Sequence, residues 1–294
     1  MLRRVPAPIA YHARMKTLSG KVVAITGAAS GMGRSLALEC ARRGADLALV
    51  DVDVPGVEDT AQRARACRLG ARVEVQRLDV ADRDAIYAWA AKVEQTLGGA
   101  DLLVNNAGVS LSASVEKMTD ADFHWLFDIN FWGVVNGTRA FLPQLKKKPE
   151  AHVVNVSSVF GIIGVPTQSA YCAAKFAVRG FTESLRQELA DTNVHVSCVH
   201  PGGIKTDIVK RGRHYEDASG QSTSTDEVAR GFEASARTTA DEAARVILRG
   251  VLRDDPRILI GADAVAIDVM ARLAPRRYDA IVTRAARAGA RRRK

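Results

Sequence analysis

The chain has 294 residues, 47% of them apolar, long for one domain but within reach of a single large α/β unit with a sizeable core. Its formal charge of +9 is unevenly placed: +4 in residues 1–16 and +8 in residues 272–294, leaving −3 over the body between them. A nucleic-acid-binding protein would carry basic charge across a folded face, no apolar run approaches a membrane span, and the N-terminus lacks the apolar core of a secretory signal. The basic tails read as solvated ends, in preference to contact with an acidic partner or an anionic lipid surface. Cys40, Cys67, Cys172 and Cys198 show no paired spacing and read as reduced thiols of a cytoplasmic protein. The six histidines, His200 among them, are scattered without a ligand pattern, so no metal site is expected.

In chain order, residues 1–18 read as an extension, with Pro6 and Pro8 opposing a regular helix start. The run from Lys21 to Thr26 suits a buried parallel strand and leads into Gly27-Ala28-Ala29-Ser30-Gly31-Met32-Gly33, then a helix from Arg34 to Arg43. Glycines at 27, 31 and 33 let the backbone turn tightly, and the helix N-terminus then presents free N–H groups to a phosphate. A second strand, Ala45 to Val50, ends in Asp51, placed to accept hydrogen bonds from adenosine ribose hydroxyls and to repel a 2′-phosphate. Asp53 is the rival for that role. Ser30 and Val52 offer no cation for a 2′-phosphate, and Arg34 is the one nearby cation that tempers the preference for NAD over NADP.

Strand and helix go on alternating. Arg72 to Leu78 ends in Asp79-Val80, Asp82 to Leu97 is helical, and Asp101 to Val104 runs into Asn105-Asn106-Ala107-Gly108. One helix is expected from Thr119 to Leu145, with Asn130 in its middle, where an amide is a poor choice without a job. Ala151 to Val156 leads into Ser157-Ser158, and Val194 to Val199 into His200-Pro201-Gly202. These alternations indicate a doubly wound parallel sheet, and the conspicuous residues fall at the carboxyl ends of its strands, where such sheets bind ligands. On a helix from Ser169 to Ala190, Tyr171 and Lys175 share one face at i and i+4; the ammonium beside the phenol is expected to lower its pKa towards neutrality. Asp241 to Leu252, a strand Arg257 to Ile260, a short helix near Ala264 to Leu273 and an amphipathic run through Tyr278, Ile281, Val282 and Ala285 complete the chain. That last apolar stripe is expected to dock on the body or on a neighbouring subunit.

The elements Thr26-Gly27-x-x-x-Gly31-x-Gly33, Asp79-Val80, Asn105-Asn106-Ala107-Gly108, Asn130, Ser158, Tyr171-x-x-x-Lys175 and Pro201-Gly202 closely resemble the classical short-chain dehydrogenase/reductase family over residues 20–262. The resemblance implies an α/β, Rossmann-type domain with a doubly wound seven-stranded parallel sheet over residues 19–262. Residues 205–237 would form a helical lid, and residues 263–294 a basic helical extension. It implies a catalytic set of Asn130, Ser158, Tyr171 and Lys175. Gly27, Ser30, Gly31, Met32, Gly33 and Asp51 would hold one end of the cofactor, with Asp79 and Val80 at the adenine. Asn106, Ala107 and Gly108 would line its middle, and Tyr171, Lys175, Pro201, Gly202, Ile204 and Thr206 its nicotinamide end. Ser158 fits the serine position better than Ser157, since neighbours on a strand point to opposite sides. In the lid, Tyr215 or Phe232 could touch the ligand, and Val109, Leu111, Phe160, Ile162, Val165 and Gln168 could edge a partly apolar pocket. The implied function is NAD-dependent hydride transfer between a secondary alcohol and its ketone, in a homodimer or homotetramer without nucleic acid. An NADP-dependent ketone reductase, or a non-catalytic nucleotide-binding scaffold, remains open at this point.

Overall fold

The computed structural model describes residues 14–217 and 220–291, with side chains up to 284. The first half alternates β1 (Val22–Thr26), α1 (Gly31–Arg42), β2 (Asp46–Asp51), α2 (Val54–Cys67), β3 (Val73–Arg77), α3 (Arg83–Leu97), β4 (Leu102–Asn105) and a short β5 (Leu111–Ser112). It continues through α4 (Asp120–Phe127), α5 (Gly133–Leu145), β6 (Ala151–Val156), α6 (Ser169–Glu188) and β7 (Val194–Pro201). The remainder holds β8 (Ile204–Lys205), β9 (Arg213–His214), α7 (Thr225–Ser235), β10 (Thr238–Thr239), α8 (Ala240–Arg253), β11 (Arg257–Ile260), α9 (Ala262–Leu273) and α10 (Tyr278–Arg291).

Seven strands form one parallel sheet in the order β11-β7-β6-β4-β1-β2-β3, a doubly wound Rossmann-type topology. Its central strands β1, β2 and β4 are mostly apolar because both faces are covered, whereas the edge strand β3 alternates valines with Glu74 and Gln76. Alternate residues feed two cores: Val23, Ile25, Leu47, Leu49, Leu102 and Val104 pack with α1, α2 and α8, while Val22, Ala24, Ala48, Val50 and Leu103 pack with α3, α5 and α6. Met15 and Leu18, within the stretch expected as an extension, are buried in the first core; residues 1–13 lie outside the described residues.

Local chemistry sets the helix starts. The Asp53 carboxylate caps α2 by accepting from Gly56 N at 3.0 Å, and Asp82 caps α3 through Ala85 N at 3.0 Å. The helix expected to run unbroken from 119 to 145 is instead α4 and α5 joined by a π turn, Asp128–Trp132, with Asn130 inside it. Such wider turns collect at functional positions, and here the turn carries a fully buried amide.

A buried polar chain crosses the sheet. Asn105 Nδ2 donates to Asn155 Oδ1 at 2.8 Å, and Asn155 Nδ2 donates to Thr182 Oγ1 on α6 at 3.0 Å. Asn155→Ala removes an acceptor and a donor from a dry interior and is expected to cost about 1–3 kcal/mol. A urea midpoint equal to that of the wild type would contradict this role.

Candidate active site

At the carboxyl edge of β1 the chain enters the glycine turn with Gly27 at φ +67° and Gly31 at φ +53°, a region that glycine alone adopts freely. A Cβ at Gly33 would stand 2.0 Å from the Gly27 carbonyl oxygen, and one at Gly31 would stand 3.0 Å from Cγ2 of Thr206. Ser30 precedes α1 in extended conformation and its side chain makes no capping bond; among the described residues no side chain takes up the first N–H groups of the helix. Met32 is half-buried against the first core. The turn therefore leaves these N–H groups available to an anion such as a phosphate. Thr26 Oγ1 accepts from both Asn106 N and Ala107 N at 3.0 Å, and Asn106 Nδ2 donates to the carbonyls of Thr26 and Gly27. The turn and the end of β4 are thereby held as one unit.

Asp51 ends β2 with its carboxylate accepting from Ala29 N at 2.9 Å and from Asp53 N at 3.0 Å. Arg34 is held through Nε and Nη2: it donates to the carbonyls of Ala29 and Gly56 and to Thr60 Oγ1, and pairs with Asp59 at 3.1 Å. Asp53 is occupied by its cap of α2 and by Arg211, 2.9 Å away. Asp79 turns its exposed carboxylate to Ala81 N at 3.0 Å, while Val80 is buried against Gly133.

Helix α6 brings Tyr171 and Lys175 to the same edge, both buried. Lys175 Nζ lies 5.7 Å from the centre of the Tyr171 ring and donates to the Val156 carbonyl at 3.0 Å. Serines 157 and 158 diverge: Ser157 Oγ donates to the Lys175 carbonyl at 2.8 Å, whereas Ser158 Oγ accepts from Phe160 N at 3.1 Å beside the Tyr171 phenol. The Asn130 side chain closes on Val109 from both ends, donating to its carbonyl at 2.9 Å and accepting from its N–H at 2.8 Å. A Cβ at Gly108 would sit 3.1 Å from Asn130 Oδ1 and 3.4 Å from Lys175 Nζ, so three of these elements converge on one point. Pro201 closes β7, Gly202 N donates to the Ile260 carbonyl at 2.9 Å, and Ile204 opens β8.

The electrostatics correct one expectation. Burial pushes the Tyr171 phenol up to about 12, with the Ser158 hydroxyl acting in the opposite direction. Burial also brings the Lys175 ammonium down to about 8. Desolvation of both groups outweighs their proximity, so the i,i+4 pair by itself does not acidify the tyrosine.

Several participants were not singled out in the sequence. His200, with no exposed surface, donates or accepts at Nδ1 with the Ser158 carbonyl at 3.0 Å; as a carbonyl only accepts, Nδ1 carries the proton. The Asp263 carboxylate accepts from Gly203 N at 2.7 Å and ties α9 to the site rim. The segment after β8 is anchored, not free: β9 pairs with β5, Arg213 pairs with Asp122 at 2.7 Å over the Trp125 ring, and Glu216 accepts from Ser114 N at 2.7 Å. Tyr215 donates to Asp122 at 3.2 Å. Phe232 does face inward, lining with Gly31, Thr206 and Lys210 a cavity of about 320 Å³. Leu111 and Ile162, expected at a pocket edge, are buried, whereas Val109, Phe160, Val165 and Gln168 are only partly so.

An open glycine cradle and a dry tyrosine–lysine pair on one edge of a doubly wound sheet define the class of dinucleotide-dependent oxidoreductases. The profile of the short chain dehydrogenase family matches residues 21–217, and the chain belongs to this family of oxidoreductases, whose members take NAD or NADP. It is 46% identical over 270 residues to SadH of Mycobacterium tuberculosis, named as an oxidoreductase, covering 91% of this chain and 96% of that one. Human estradiol 17-beta-dehydrogenase 11 is 32% identical over 274 residues, covering 92% and 85%. The structure of a short-chain dehydrogenase/reductase from Burkholderia phymatum in complex with NAD superposes with a TM-score of 0.79 at 29% identity, covering 88% and 95%.

Burial lowers the His200 pKa from 6.5 to about 4, so the unfolded chain binds the extra proton between those values. Stability therefore falls as pH drops from 6.5 towards 4. His200→Gln keeps an N–H donor but cannot titrate, and its stability should fall less steeply than that of the wild type across that window. An unchanged slope would mean that His200 is not held neutral in the native state.

Proposed function

We propose that the chain is an NAD-dependent dehydrogenase of a secondary alcohol, or reductase of the matching ketone, with Tyr171 as the general acid and base. The observation that carries this reading is the buried convergence of Tyr171, Lys175, Ser158 and Asn130 at the sheet edge that also bears the glycine cradle. When bound, the nicotinamide supplies the hydride acceptor and, in its oxidised form, a positive charge at the site. In the oxidative direction Tyr171 takes the hydroxyl proton of the alcohol as hydride leaves the carbinol carbon, and the ketone forms. Ser158 Oγ already accepts from Phe160 N, which leaves its own proton to donate to the substrate oxygen as charge develops there. Lys175 holds positive charge next to the phenol and presents donors to a ribose; Asn130 fixes the Val109 backbone that walls this space. In the reverse direction the neutral phenol favoured by burial gives its proton to the ketone oxygen.

Two features support NAD. Asp51 keeps lone pairs for ribose hydroxyls, since each of its oxygens takes one backbone N–H, and the Nε and Nη2 edge of Arg34 is turned to four partners of the protein itself. The half-buried Val109, Phe160 and Val165 support a substrate with apolar surface, in keeping with a relative named for estradiol. Self-association into a dimer or tetramer is supported by the exposure of Trp132 and Phe176, large apolar side chains on neighbouring helical segments.

Tyr171→Phe is expected to bind NAD within about twofold of wild type yet lose turnover by roughly a thousandfold or more, as removal of a proton-transferring group does. Turnover near the wild-type rate across an alcohol panel would overturn the assignment. Asp51→Ala should narrow the preference for NAD over NADP by about tenfold or more, read by calorimetric titration of each nucleotide. An unchanged ratio would remove Asp51 from cofactor selection.

A further inference from the structure

Helix α9 is amphipathic in the opposite sense to the rest of the molecule. Its inward positions, Ala264 and Asp268, are buried, and the Asp268 carboxylate is locked between Arg257 and Arg272. Its outward positions, Val265, Val269 and Leu273, recur every four residues on one face and are 48%, 48% and 81% exposed. Helix α10 follows through a turn in which Tyr278 N donates to the Ala274 carbonyl, and it sets Ile281 in solvent at 51% exposure. Among the described residues, no hydrogen bond or ion pair joins α10 to the sheet or to the helices around it. Of the stripe expected to dock on the body or on a neighbouring subunit, Tyr278 and Val282 are half-buried and Ile281 is exposed, while the side chain of Ala285 lies outside the described residues.

Charge decides what covers the face. Residues 272–294 carry nine Lys or Arg against Asp279 alone, and Arg276, Arg277 and Arg284 are exposed. Two such arms meeting face to face would bring +8 against +8, and the body of a second copy offers only −3. An anionic bilayer surface offers dense negative charge together with an acyl boundary for apolar side chains, which is the combination a basic amphipathic helix requires. The position also fits, because α9 begins at the site rim, where Asp263 holds Gly203 N.

We propose that α9 and α10 form a docking surface for anionic phospholipid, laying Val265, Val269, Leu273 and Ile281 into the interface with the arginines at the headgroups. This is independent of the alcohol reading, since it uses none of the residues at the nucleotide site.

The test is sedimentation of the full-length protein with phosphatidylcholine vesicles, with and without about a third phosphatidylserine, at low and at high salt. The expected result is binding to the phosphatidylserine vesicles at least about tenfold tighter than to phosphatidylcholine alone, and its loss at high salt. Arg276→Glu/Arg277→Glu/Arg284→Glu and, separately, Val269→Glu/Leu273→Glu should each abolish binding while leaving nucleotide affinity and melting temperature unchanged, because these side chains are exposed. Equal binding to both vesicles, no binding, or full binding by either variant would overturn the proposal. So would a fall in solution mass caused by Val269→Glu/Leu273→Glu, which would assign the face to a second copy.

Discussion

The site depends on desolvation of two polar side chains set one helical turn apart. Tyr171 and Lys175 lie on α6 with almost no exposed surface, so each is pushed towards its neutral form, the phenol upwards and the amine downwards. Neither shift arises from the other group. A pair poised in this way responds steeply to any further charge brought into the same dry space, because there is little water to screen it. A positively charged nicotinamide ring would favour the phenolate, and its neutral reduced form would restore the phenol. The proton affinity of Tyr171 would then follow the redox state of the bound nucleotide.

The rest of the fold holds that pair in place. Lys175 is fixed at both ends of its residue, its amine on the Val156 carbonyl and its own carbonyl on Ser157 Oγ. The Asn155–Thr182 bond fastens the same helix to β6 about two turns further along. His200 reaches from β7 to the Ser158 carbonyl, so adjacent strands β6 and β7 jointly set the serine. On the other side of the β4 loop, the π turn between α4 and α5 carries Asn130 to Val109. The nucleotide cradle and the proton-handling residues are separate in sequence, yet Gly108 and the Thr26 hydroxyl link them through a single loop.

Much of the architecture was legible because buried parallel strands leave a plain signal. Ala151–Val156 and Arg257–Ile260 are apolar runs bounded by polar or glycine residues, and the strands occupy those spans. The seven-stranded order followed from the family resemblance, not from the periodicity. Other features had no local signal. A π turn needs one extra residue in a helical run and leaves only Asn130 as a hint. Two-residue strands such as β5 and β9 are too short for periodicity, so the anchoring of residues 213–216 was invisible. The direction of the Tyr171 shift was misread because spacing reports proximity, whereas desolvation is a property of the whole fold. His200 and Asp263 were missed for the same reason: their partners are the main-chain groups of residues 42 and 60 positions away.

The most direct measurement is the ionisation of Tyr171 itself, followed by NMR of ¹³Cζ-labelled tyrosine against pH, with the resonance assigned by its loss in a variant lacking that phenol. The account predicts a neutral phenol throughout the physiological range in the free protein, titrating only near pH 12, and a clear downward shift when oxidised NAD binds. A phenolate already present near neutrality without nucleotide, or a titration indifferent to NAD, would contradict it.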